Sequence, residues 1–403
     1  MSKIQKPRGT QDIFFKSLEK FDLIVDTSSY LASKHNFYSI KIPTFEDSNL
    51  FERNLGEGSD AISKELYKFT DKGLRVQALR PELTAGTVRA YIENTELNSI
   101  SVPLRLFSYG QVFRYDRPKR GRYREFNQIN FELFNDESDI SAVGVALELL
   151  KELKVLDKTL LTINFLGDAK DPYTESVRQY FQTHINQLSE TSQTRLEKNP
   201  LRILDSKEPE DISLLLNCPK ISEYYSEKDK ISLKKITDFL IENQINFEID
   251  NSLVRGLDYY TGLVFEFVAP LAEDGSNLAV LGGGRYDDLI SQMGGKKTSA
   301  IGFGGGIERL MLLLDEASST KKIYIVNITN KDLFSLINNL SREYNNASFQ
   351  EIKIEQNKIG KTLQKLSKIE NSFSIIVGEK ELTEKKSTMK NLTTLEISTI
   401  ILI

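Results

Sequence analysis

Two segments with a two-residue repeat flank a short basic stretch, and this arrangement constrains the fold more than any other feature. LRLFSYGQVFR (104–114) and EFNQINFELF (125–134) alternate apolar and polar residues, as half-buried β-strands do. Between Arg114 and Arg124 lie six cations and a single acid, Asp116. The pattern predicts a β-hairpin with a long charged connection, and therefore an antiparallel sheet.

The returning strand of this hairpin carries unusual residues on one face. Its apolar face, with Ile129, Phe131 and Leu133, belongs to the core. The opposite face is a suitable floor for a ligand with a flat ring and polar ends, although a solvated strand face would explain isolated polar residues equally simply. The residues of that face are Phe126, Gln128, Asn130 and Glu132.

The rest of the chain predicts a mixture of helices and strands. From about 170 to 246 the chain is polar and helix-like, which indicates a helical insertion. Two glycine-rich turns, in LGGGRYDDLI (281–290) and SAIGFGGGIERLMLLLDEA (299–317), are each predicted to run into a helix. Further predictions are helices over 15–36, 82–94 and 138–155, a strand over 37–46 with Pro43 at its edge or end, a hairpin turning at Asp71-Lys72-Gly73, and a strand over 253–270.

A break near 316–322 divides the chain into a larger part, 1–320, and a smaller part, 321–403. After the break strands and helices alternate, which predicts a small α/β domain. This part carries 13 Lys and Arg against 9 Asp and Glu, a net charge of +4, so the first 320 residues carry −8 of the total of −4. A basic appendage on an acidic body indicates a polyanionic partner, although an ordinary Lys-rich surface would look the same.

Composition excludes several classes of protein. With one cysteine and two histidines, the chain has neither a disulfide framework nor a cysteine-type or multi-histidine metal site. Its N-terminus has no apolar signal region, and no apolar run approaches the roughly 20 residues that cross a bilayer. We therefore expect a cytoplasmic protein with no membrane partner and no protein-bound metal site.

Two further motifs bear on function. GFGGG (302–306) lacks the G-x-G-x-x-G spacing and GGKKT (294–298) lacks the phosphate-loop spacing, so both standard mononucleotide folds are disfavoured. RGLDYYTG (255–262), taken as a strand, places Arg255 and Tyr259 on one face and Tyr260 on the other. A cation in such a strand is costly to bury without an anion, which suggests a binding site.

Taken together, these segments resemble class II aminoacyl-tRNA synthetases, and in particular the histidyl-tRNA synthetase family, over nearly the whole chain. The resemblance implies an α+β fold with an antiparallel sheet flanked by helices and a C-terminal anticodon-binding domain. The segments that carry it are PRGTQD (7–12), SIKIPTFE (39–46) as the dimer-interface motif 1, LRPELTAG (79–86), FRYDRPKRGRYREFNQ (113–128) as motif 2, LVRGLDYYTG (253–262) as the histidine-specific signature, and GFGGGIERL (302–310) as motif 3.

The resemblance also implies roles for individual residues. The substrates would be ATP with Mg²⁺, L-histidine and tRNA(His), bound by a homodimer. Arg114 and Arg255 would be catalytic, and Arg114, Asp116, Phe126 and Arg309 would bind ATP, with Phe126 stacked on the adenine and Arg309 covering its other face. Glu82, Thr84, Gln128, Glu132, Arg255, Tyr259 and Tyr260 would bind histidine, and Arg117, Lys119, Arg120 and Arg122 would contact the tRNA acceptor end.

The chain departs from the family pattern in three places. Asp116 stands where motif 2 usually has a glutamate, and Pro118-Lys119-Arg120 stands where the loop often has Pro-Gln. The C-terminal part, about 83 residues, is somewhat short. These departures bear on adenine binding and on readout of the tRNA 5′ end.

Three other functions are compatible with parts of the pattern. One is a non-catalytic paralogue that regulates the ATP phosphoribosyltransferase of histidine biosynthesis, but such paralogues lose the histidine signature, the motif 2 arginines and the C-terminal domain. A class II synthetase for another amino acid conflicts with the signature between Arg255 and Tyr260. A pure nucleic-acid-binding module would have no use for an acidic body with a polar pocket.

Overall fold

The computed structural model describes residues 3–54, 65–100, 102–253, 259–315, 321–344, 347–369 and 371–402. The chain divides into two units, Met1–Asp315 and Glu316–Ile403. No helix among the described residues is long and apolar enough to cross a membrane.

The described part of the first unit contains the following strands and helices. The strands are β1 (Tyr38–Ser39), β2 (Phe45–Asp47), β3 (Lys68–Thr70), β4 (Val76–Leu79), β5 (Leu104–Phe113), β6 (Glu125–Phe134), β7 (Leu160–Phe165), β8 (Phe247–Ile249), β9 (Leu263–Ala269), β10 (Leu278–Arg285) and β11 (Ala300–Gly306). The helices are α1 (Lys16–Lys34), α2 (Ser48–Asn54), α3 (Thr84–Glu93), α4 (Thr95–Asn98), α5 (Asp139–Glu152), α6 (Lys170–Thr183), α7 (Glu190–Lys198), α8 (Pro209–Leu215), α9 (Glu227–Glu242), α10 (Leu289–Gln292) and α11 (Ile307–Leu313).

Eight strands of this unit form one sheet in the order β1-β5-β6-β11-β10-β9-β7-β8. The pairs from β5 through β7 are antiparallel, whereas the edge strands β1 and β8 pair in parallel with their neighbours. The predicted hairpin is confirmed, since β5 and β6 pair continuously from Leu104–Phe134 to Phe113–Glu125. A separate antiparallel sheet, β2-β4-β3, contains the hairpin predicted to turn at Asp71-Lys72-Gly73.

Helices cover the back of the large sheet, and its polar front face is left for the site. Apolar residues of α1, α5 and α11 share one core with the inward residues of β5, β6, β9 and β11. Within that core the rings of Phe131 and Phe303 stack with centroids 4.9 Å apart. The apolar face predicted for β6 is therefore the core face, as its alternation indicates. The helical insertion predicted over 170–246 contains α6 to α9. Its helices α6 to α8 share a second core with α3 and α10, whereas α9 packs into the first core.

The prediction of a single strand over 37–46 is wrong, because the segment forms only β1 and β2 with irregular chain between them. Pro43 has no N–H to donate to a ladder. The carbonyls of Ile42 and Pro43 instead accept hydrogen bonds from Nη1 of Arg80, at 2.8 and 3.1 Å. The buried Arg80 thus satisfies the backbone where a strand would have paired.

The prediction of two glycine-rich turns is also wrong, because these glycines lie in the central strands β10 and β11. None of them has a positive φ. A Cβ at Gly283 would lie 2.1 Å from the carbonyl oxygen of Gly302, and a Cβ at Gly305 would lie 2.1 Å from Cδ2 of Leu281. The glycines are needed because neighbouring groups approach closely, and not because the chain turns.

The strand predicted over 253–270 is shorter than expected. β9 begins at Leu263, so Tyr259 and Tyr260 precede it, and residues 254–258 lie outside the described residues. The alternation predicted for the two tyrosines is wrong, because both rings are buried with their centroids 4.7 Å apart. Two residues on opposite faces of a strand could not make this contact.

The second unit is a small α/β domain, as its alternating pattern predicts. Its sheet has the order β13-β12-β14-β15-β16, with parallel pairs among the first three strands and antiparallel pairs among the last three. The sequence pattern missed the last hairpin. The elements are β12 (Lys321–Asn327), α12 (Phe334–Glu343), β13 (Ala347–Lys353), α13 (Ile359–Leu366), β14 (Ser372–Val377), α14 (Glu379–Glu384), β15 (Lys386–Asn391) and β16 (Ile397–Ile401).

Candidate active site

The floor of the site is the front face of β6, beside a stretch of β11 that has only glycines on the same face. Along β6 this face presents an amide, a second amide and a carboxylate, and each has a glycine of β11 as its Cα partner. A Cβ at Gly302 would lie 1.8 Å from Oε2 of Glu132, and a Cβ at Gly304 would lie 2.7 Å from Oδ1 of Asn130. The polar groups therefore occupy space that any larger residue on β11 would fill. The three pairs are Gln128 with Gly306, Asn130 with Gly304, and Glu132 with Gly302.

Glu132 is the buried carboxylate of this floor, with 1% of its surface exposed. Nδ2 of Asn130 donates to Oε1 over 2.6 Å, and the hydroxyl of Tyr286 donates to Oε2. Burial raises the pKa of Glu132 to about 7, although hydrogen bonds from Thr84, Tyr286 and Asn130 oppose the shift. The group is thus poised between its charged and neutral forms near neutral pH.

Three tyrosines surround this carboxylate on its β10 side. The ring centroids of Tyr259 and Tyr260 are 4.7 Å apart, and those of Tyr259 and Tyr286 are 5.5 Å apart. Burial raises the hydroxyl pKa of Tyr259 and Tyr286 well above the ordinary value, so both stay protonated and can donate hydrogen bonds. A Cβ at Gly284 would lie 2.7 Å from Cδ1 of Tyr260, so the absence of a side chain at this glycine leaves room for the ring.

Glu82 and Thr84 lie at the start of α3, next to the floor. The carboxylate of Glu82 is buried and accepts hydrogen bonds from the backbone N–H groups of Thr84 and Ala85, at 2.5 and 2.7 Å. Burial raises the pKa of Glu82, while these N–H groups and the charge of Arg114 act in the opposite direction. Nδ2 of Asn130 lies 3.4 Å from the hydroxyl of Thr84, which joins the helix start to β6.

An amide oxygen on the floor has no partner in the described part of the chain. Oε1 of Gln128 is buried and accepts no hydrogen bond there. An unpaired buried acceptor costs free energy, and a ligand donor can remove that cost. Gln128 is therefore suited to receive a donor such as an ammonium group.

The end of the hairpin brings a cation to an aromatic ring. The guanidinium of Arg114 lies 5.4 Å from the ring centroid of Phe126, and Nε of Arg114 donates to the carbonyl of Pro81 over 2.9 Å. Arg309, in the first turn of α11, donates from Nε to Gly121 O and from Nη1 to Ala279 O, at 2.8 and 2.6 Å. Both arginines are thus held at defined positions by backbone carbonyls.

Two walls enclose this end of the site, one formed by Phe126 on β6 and the other by Arg309 on α11. A pair of residues that the sequence did not assign joins them. Glu308 has 5% of its surface exposed and accepts from the backbone N–H and from Nδ2 of Asn127, at distances of 2.9 to 3.0 Å. A side-chain hydrogen bond from Gln11, in the PRGTQD segment, also reaches Glu308. Tyr286 and Asn130 were likewise unassigned, although Asn130 shares the predicted polar face and Tyr286 lies two residues after a glycine run.

The basic loop between β5 and β6 is exposed. Its four candidate tRNA contacts are all surface side chains, namely Arg117, Lys119, Arg120 and Arg122. The carboxylate of Asp116 accepts from the backbone N–H of Arg117 over 2.6 Å and lies 3.4 Å from Nη1 of Arg122. Asp116 therefore orders the loop internally, whereas the resemblance implies a contact with adenine.

Two predicted features can be placed only in part. Arg255 lies outside the described residues, so its contacts are not part of this geometry. The described residues contain no group of three or more His, Cys, Asp or Glu that could hold a metal ion. A cation at this site would need ligands from elsewhere, such as the phosphates of a nucleotide.

Comparisons with known proteins match nearly the whole chain. A protein-family model described as "Histidyl-tRNA synthetase" matches residues 9–310, and one described as "Anticodon binding domain" matches residues 322–402. A curated relative, the histidine–tRNA ligase of Wolbachia pipientis wMel, is 41% identical over 400 residues, covering 97% of this chain and 95% of that protein.

Solved structures give the same result. The crystal structure of the apo histidyl-tRNA synthetase of S. aureus superposes with a TM-score of 0.75 at 30% identity, covering 99% of this chain and 98% of that one. A protein of Bacillus halodurans C titled ATP phosphoribosyltransferase regulatory subunit/histidyl-tRNA synthetase has a TM-score of 0.66 at 20% identity, covering 93% of this chain and 98% of that one. The second likeness shows a shared fold alone.

Proposed function

The chain belongs to the histidyl-tRNA synthetase family, and we propose that it is the aminoacyl-tRNA ligase that joins L-histidine to tRNA(His). The reaction uses ATP and passes through a histidyl-adenylate. The observation that carries the proposal is Glu132, a buried carboxylate over glycines of β11 that is held by Asn130 and Tyr286.

This arrangement suits an imidazole ring. Imidazole offers one N–H donor and one acceptor, and the floor supplies a carboxylate acceptor and protonated tyrosine donors. A side chain that lacks either group would leave buried polar atoms unpaired. Sites built in this way reject such competitors by roughly 10⁴. The substrate ammonium group would donate to Oε1 of Gln128, which has no partner among the described residues, and would lie near Glu82 and Thr84.

The first reaction step needs positioning rather than a protein base. A carboxylate oxygen of histidine attacks the α-phosphorus of ATP, and pyrophosphate leaves with the electron pair of the broken P–O bond. Because the attacking carboxylate is already ionised at neutral pH, the protein has no proton to remove. Arg114 would bind the α-phosphate, and Arg255 would bridge that phosphate and the histidine carboxylate. Such preorganised cations stabilise the charge that develops at phosphorus.

ATP would lie between the two walls described above. Phe126 would stack on one face of the adenine and Arg309 would cover the other, while Asp116 would contact the adenine from the loop side. Mg²⁺ would enter as part of the ATP complex, bound by phosphate oxygens, and it supplies charge neutralisation of the triphosphate. No group of described carboxylates forms a separate protein cage for it.

The second step transfers the aminoacyl group to the 3′ end of the tRNA. The exposed cations Arg117, Lys119, Arg120 and Arg122 would receive the acceptor end, and the unit that starts at Glu316 would bind the anticodon. The net charge of +4 over residues 321–403 supports a polyanionic partner for that unit.

We also propose a cytoplasmic homodimer. The β2-β4-β3 sheet, whose strand β2 begins in the segment that resembles motif 1, exposes Phe45 and Phe69 to the extent of 54% and 41%, with their ring centroids 5.9 Å apart. Exposed apolar groups clustered on one small sheet indicate a protein interface, and a second copy of this chain would cover it. The cytoplasm is where translation supplies the tRNA.

The test is pyrophosphate exchange into ATP by the purified chain, measured separately with each amino acid. We expect exchange with L-histidine alone, followed by charging of tRNA(His). Exchange with a different amino acid would contradict the specificity. The absence of any exchange would favour the regulatory paralogue, an alternative that the retained Arg114, Phe126 and Glu132 make less well supported.

A further inference from the structure

We propose that the contact between Asn127 and Glu308 sets the separation of the two walls of the ATP site, which makes Glu308 a positioning residue for ATP and not for histidine. The inference rests on the proposed adenine site between Phe126 and Arg309. It concerns a contact within the protein, and neither Asn127 nor Glu308 needs to touch the nucleotide.

The contact lies where two paired strands separate. β11 ends at Gly306, which is the Cα partner of Gln128 on β6. The next residue of β6 toward the loop is Asn127, and there the chain after β11 has already entered α11. The Glu308 carboxylate accepts the backbone N–H of Asn127 at 3.0 and 2.9 Å. A helix side chain thus replaces the next backbone acceptor that β11 would have offered to β6.

The neighbours of the pair are the residues that form the two walls. Phe126 precedes Asn127 on β6, and Arg309 follows Glu308 on α11. Because peptide units are rigid, fixing Asn127 against Glu308 restricts the distance between the aromatic ring and the guanidinium. Arg309 is held in addition by the carbonyls of Gly121 and Ala279. The contact between Asn127 and Glu308 links these two segments of β6 and α11 directly.

The chemistry of the pair favours a precise geometry. The contact is buried, and the donors that reach Glu308 are neutral amides of Asn127 and Gln11 and not flexible cations. Such hydrogen bonds to a charged acceptor are directional and short. Oε1 alone accepts both the backbone and the side-chain N–H of Asn127, at 3.0 and 2.9 Å. A glutamine with its carbonyl oxygen at the Oε1 position can therefore keep both of these bonds, and it loses only the contact of the backbone N–H with Oε2.

The histidine side of the site does not share this dependence. Glu132 is held by Asn130 and Tyr286, and Asn130 also reaches Thr84. Those contacts lie further along β6, directly after β10, and on α3. Loosening the Asn127–Glu308 contact should therefore change the affinity for ATP while leaving the affinity for histidine nearly unchanged.

The experiment compares Glu308→Ala, Glu308→Gln and Asn127→Ala in the full chain. Calorimetry gives the affinities for ATP and histidine separately, and pyrophosphate exchange gives both KM values. We expect Glu308→Ala to weaken ATP binding at least roughly tenfold, Asn127→Ala by a smaller factor because the backbone N–H remains, and Glu308→Gln by less than about threefold. Histidine affinity should change by less than about threefold in all three variants.

Asp211→Asn is the matched control for loss of a buried carboxylate. Asp211 lies in the helical insertion, is fully buried and accepts hydrogen bonds from Ser189, Ser192 and Ser206. We expect it to lower thermal stability without changing the ratio of the two affinities. Equal losses of ATP and histidine affinity in Glu308→Ala, or a loss in Glu308→Gln as large as in Glu308→Ala, would overturn the inference.

The outcome can be separated from that of the proposed function. If the wild type binds ATP but shows no histidine-dependent exchange, the ligase activity fails while the ATP-binding comparison still decides the inference. If the wild type binds no ATP, both are wrong. If Glu308→Ala does not fold, unchanged ATP affinity in a folded Asn127→Ala variant would count against the inference.

Discussion

Tyr286, the residue that follows β10, donates a hydrogen bond from its hydroxyl to Oε2 of Glu132 on β6, although 154 residues separate the two in the sequence. β11 lies between β6 and β10 in the sheet. The contact passes over Gly302 of β11, where a Cβ would lie 1.8 Å from the same oxygen. A glycine in the middle strand therefore allows two outer strands to build one binding group.

Removal of this donor tests the role of Tyr286 in histidine recognition. We expect Tyr286→Phe to raise the KM for histidine roughly tenfold or more, because a hydrogen bond to a charged group contributes about 1.5–3 kcal/mol. The KM for ATP should hardly change. Tyr180→Phe is the matched control, since it removes a hydroxyl that donates to Leu214 O in the helical insertion. Similar KM values for histidine in the two variants would contradict the assignment.

The titration of Glu132 predicts a dependence of stability on pH. Burial raises its pKa from the ordinary 4.5 to about 7, so the folded chain keeps a proton that the unfolded chain releases between these values. Because the folded state binds more protons, the contribution of this group to the free energy of unfolding is complete below 4.5 and decreases as the pH rises through about 7.

The measurement compares wild type with Glu132→Gln, which does not titrate. We expect the difference in their free energies of unfolding to fall by about 3 kcal/mol between about pH 4.5 and about pH 7, in favour of the variant. Urea denaturation across this range gives the difference. Other titrating groups are common to both proteins and largely cancel. A difference that stays constant with pH would show that the carboxyl is not shifted.

The need for glycine on β11 beside the floor can be tested by adding one methyl group. Gly302→Ala should weaken histidine binding by roughly 10² or more, because the new Cβ would overlap Oε2 of Glu132 at 1.8 Å and force the carboxylate to move. Gly144→Ala is the matched control. Its Cβ would meet nothing within 4 Å on α5, and alanine there should stabilise the helix by about 0.5–1 kcal/mol. Histidine affinity from calorimetry and unfolding midpoints separate the two effects.

Stacking on Phe126 is tested by truncation of the ring. Phe126→Ala should raise the KM for ATP by roughly one to two powers of ten, since stacking of a base on an aromatic side chain contributes about 1–3 kcal/mol. The histidine KM should change much less. Phe334→Ala removes an exposed ring of the second unit and should leave both KM values as they are. An unchanged ATP KM in Phe126→Ala would place the adenine elsewhere.

The loop cations predict a salt dependence that is specific to tRNA. Neutralising Arg117, Lys119 and Arg120 together should raise the KM for tRNA and flatten its dependence on salt concentration, because each lost phosphate contact reduces counterion release. Histidine-dependent pyrophosphate exchange involves no tRNA and should proceed as in the wild type. A salt slope equal to that of the wild type would show that the loop does not contact phosphates.

Local alternation was enough to predict β5, β6 and the composition of the floor. Each residue of a strand faces the side opposite to its neighbour, so the separation of Phe131 from Glu132 follows from the period alone. The glycine-rich segments could not be interpreted in the same way. A glycine required by close approach and a glycine required by a turn look alike in sequence, and Gly302 and Gly305 proved to be of the first kind.

The tyrosine pair shows a second limit of local patterns. Tyr259 and Tyr260 are adjacent, and a strand would have placed them on opposite faces. They lie instead before β9 with both rings buried, and burial raises the pKa of the Tyr259 hydroxyl, which therefore stays protonated. The resemblance correctly placed this segment within the histidyl-tRNA synthetase family, whereas its conformation depended on neighbours such as Gly284.

The sequence by itself determined the family, the antiparallel hairpin, and the residue types on the two faces of β6. The tertiary structure alone decided that Tyr286 completes the Glu132 site. It also decided that the Glu308 carboxylate accepts the backbone hydrogen bond of Asn127 beyond the end of β11. The reason is that alternation encodes which side of a strand a residue faces, but not which strand lies beside it. Strand order depends on the packing of the whole sheet against α1, α5 and α11, and it brings together groups more than 150 residues apart.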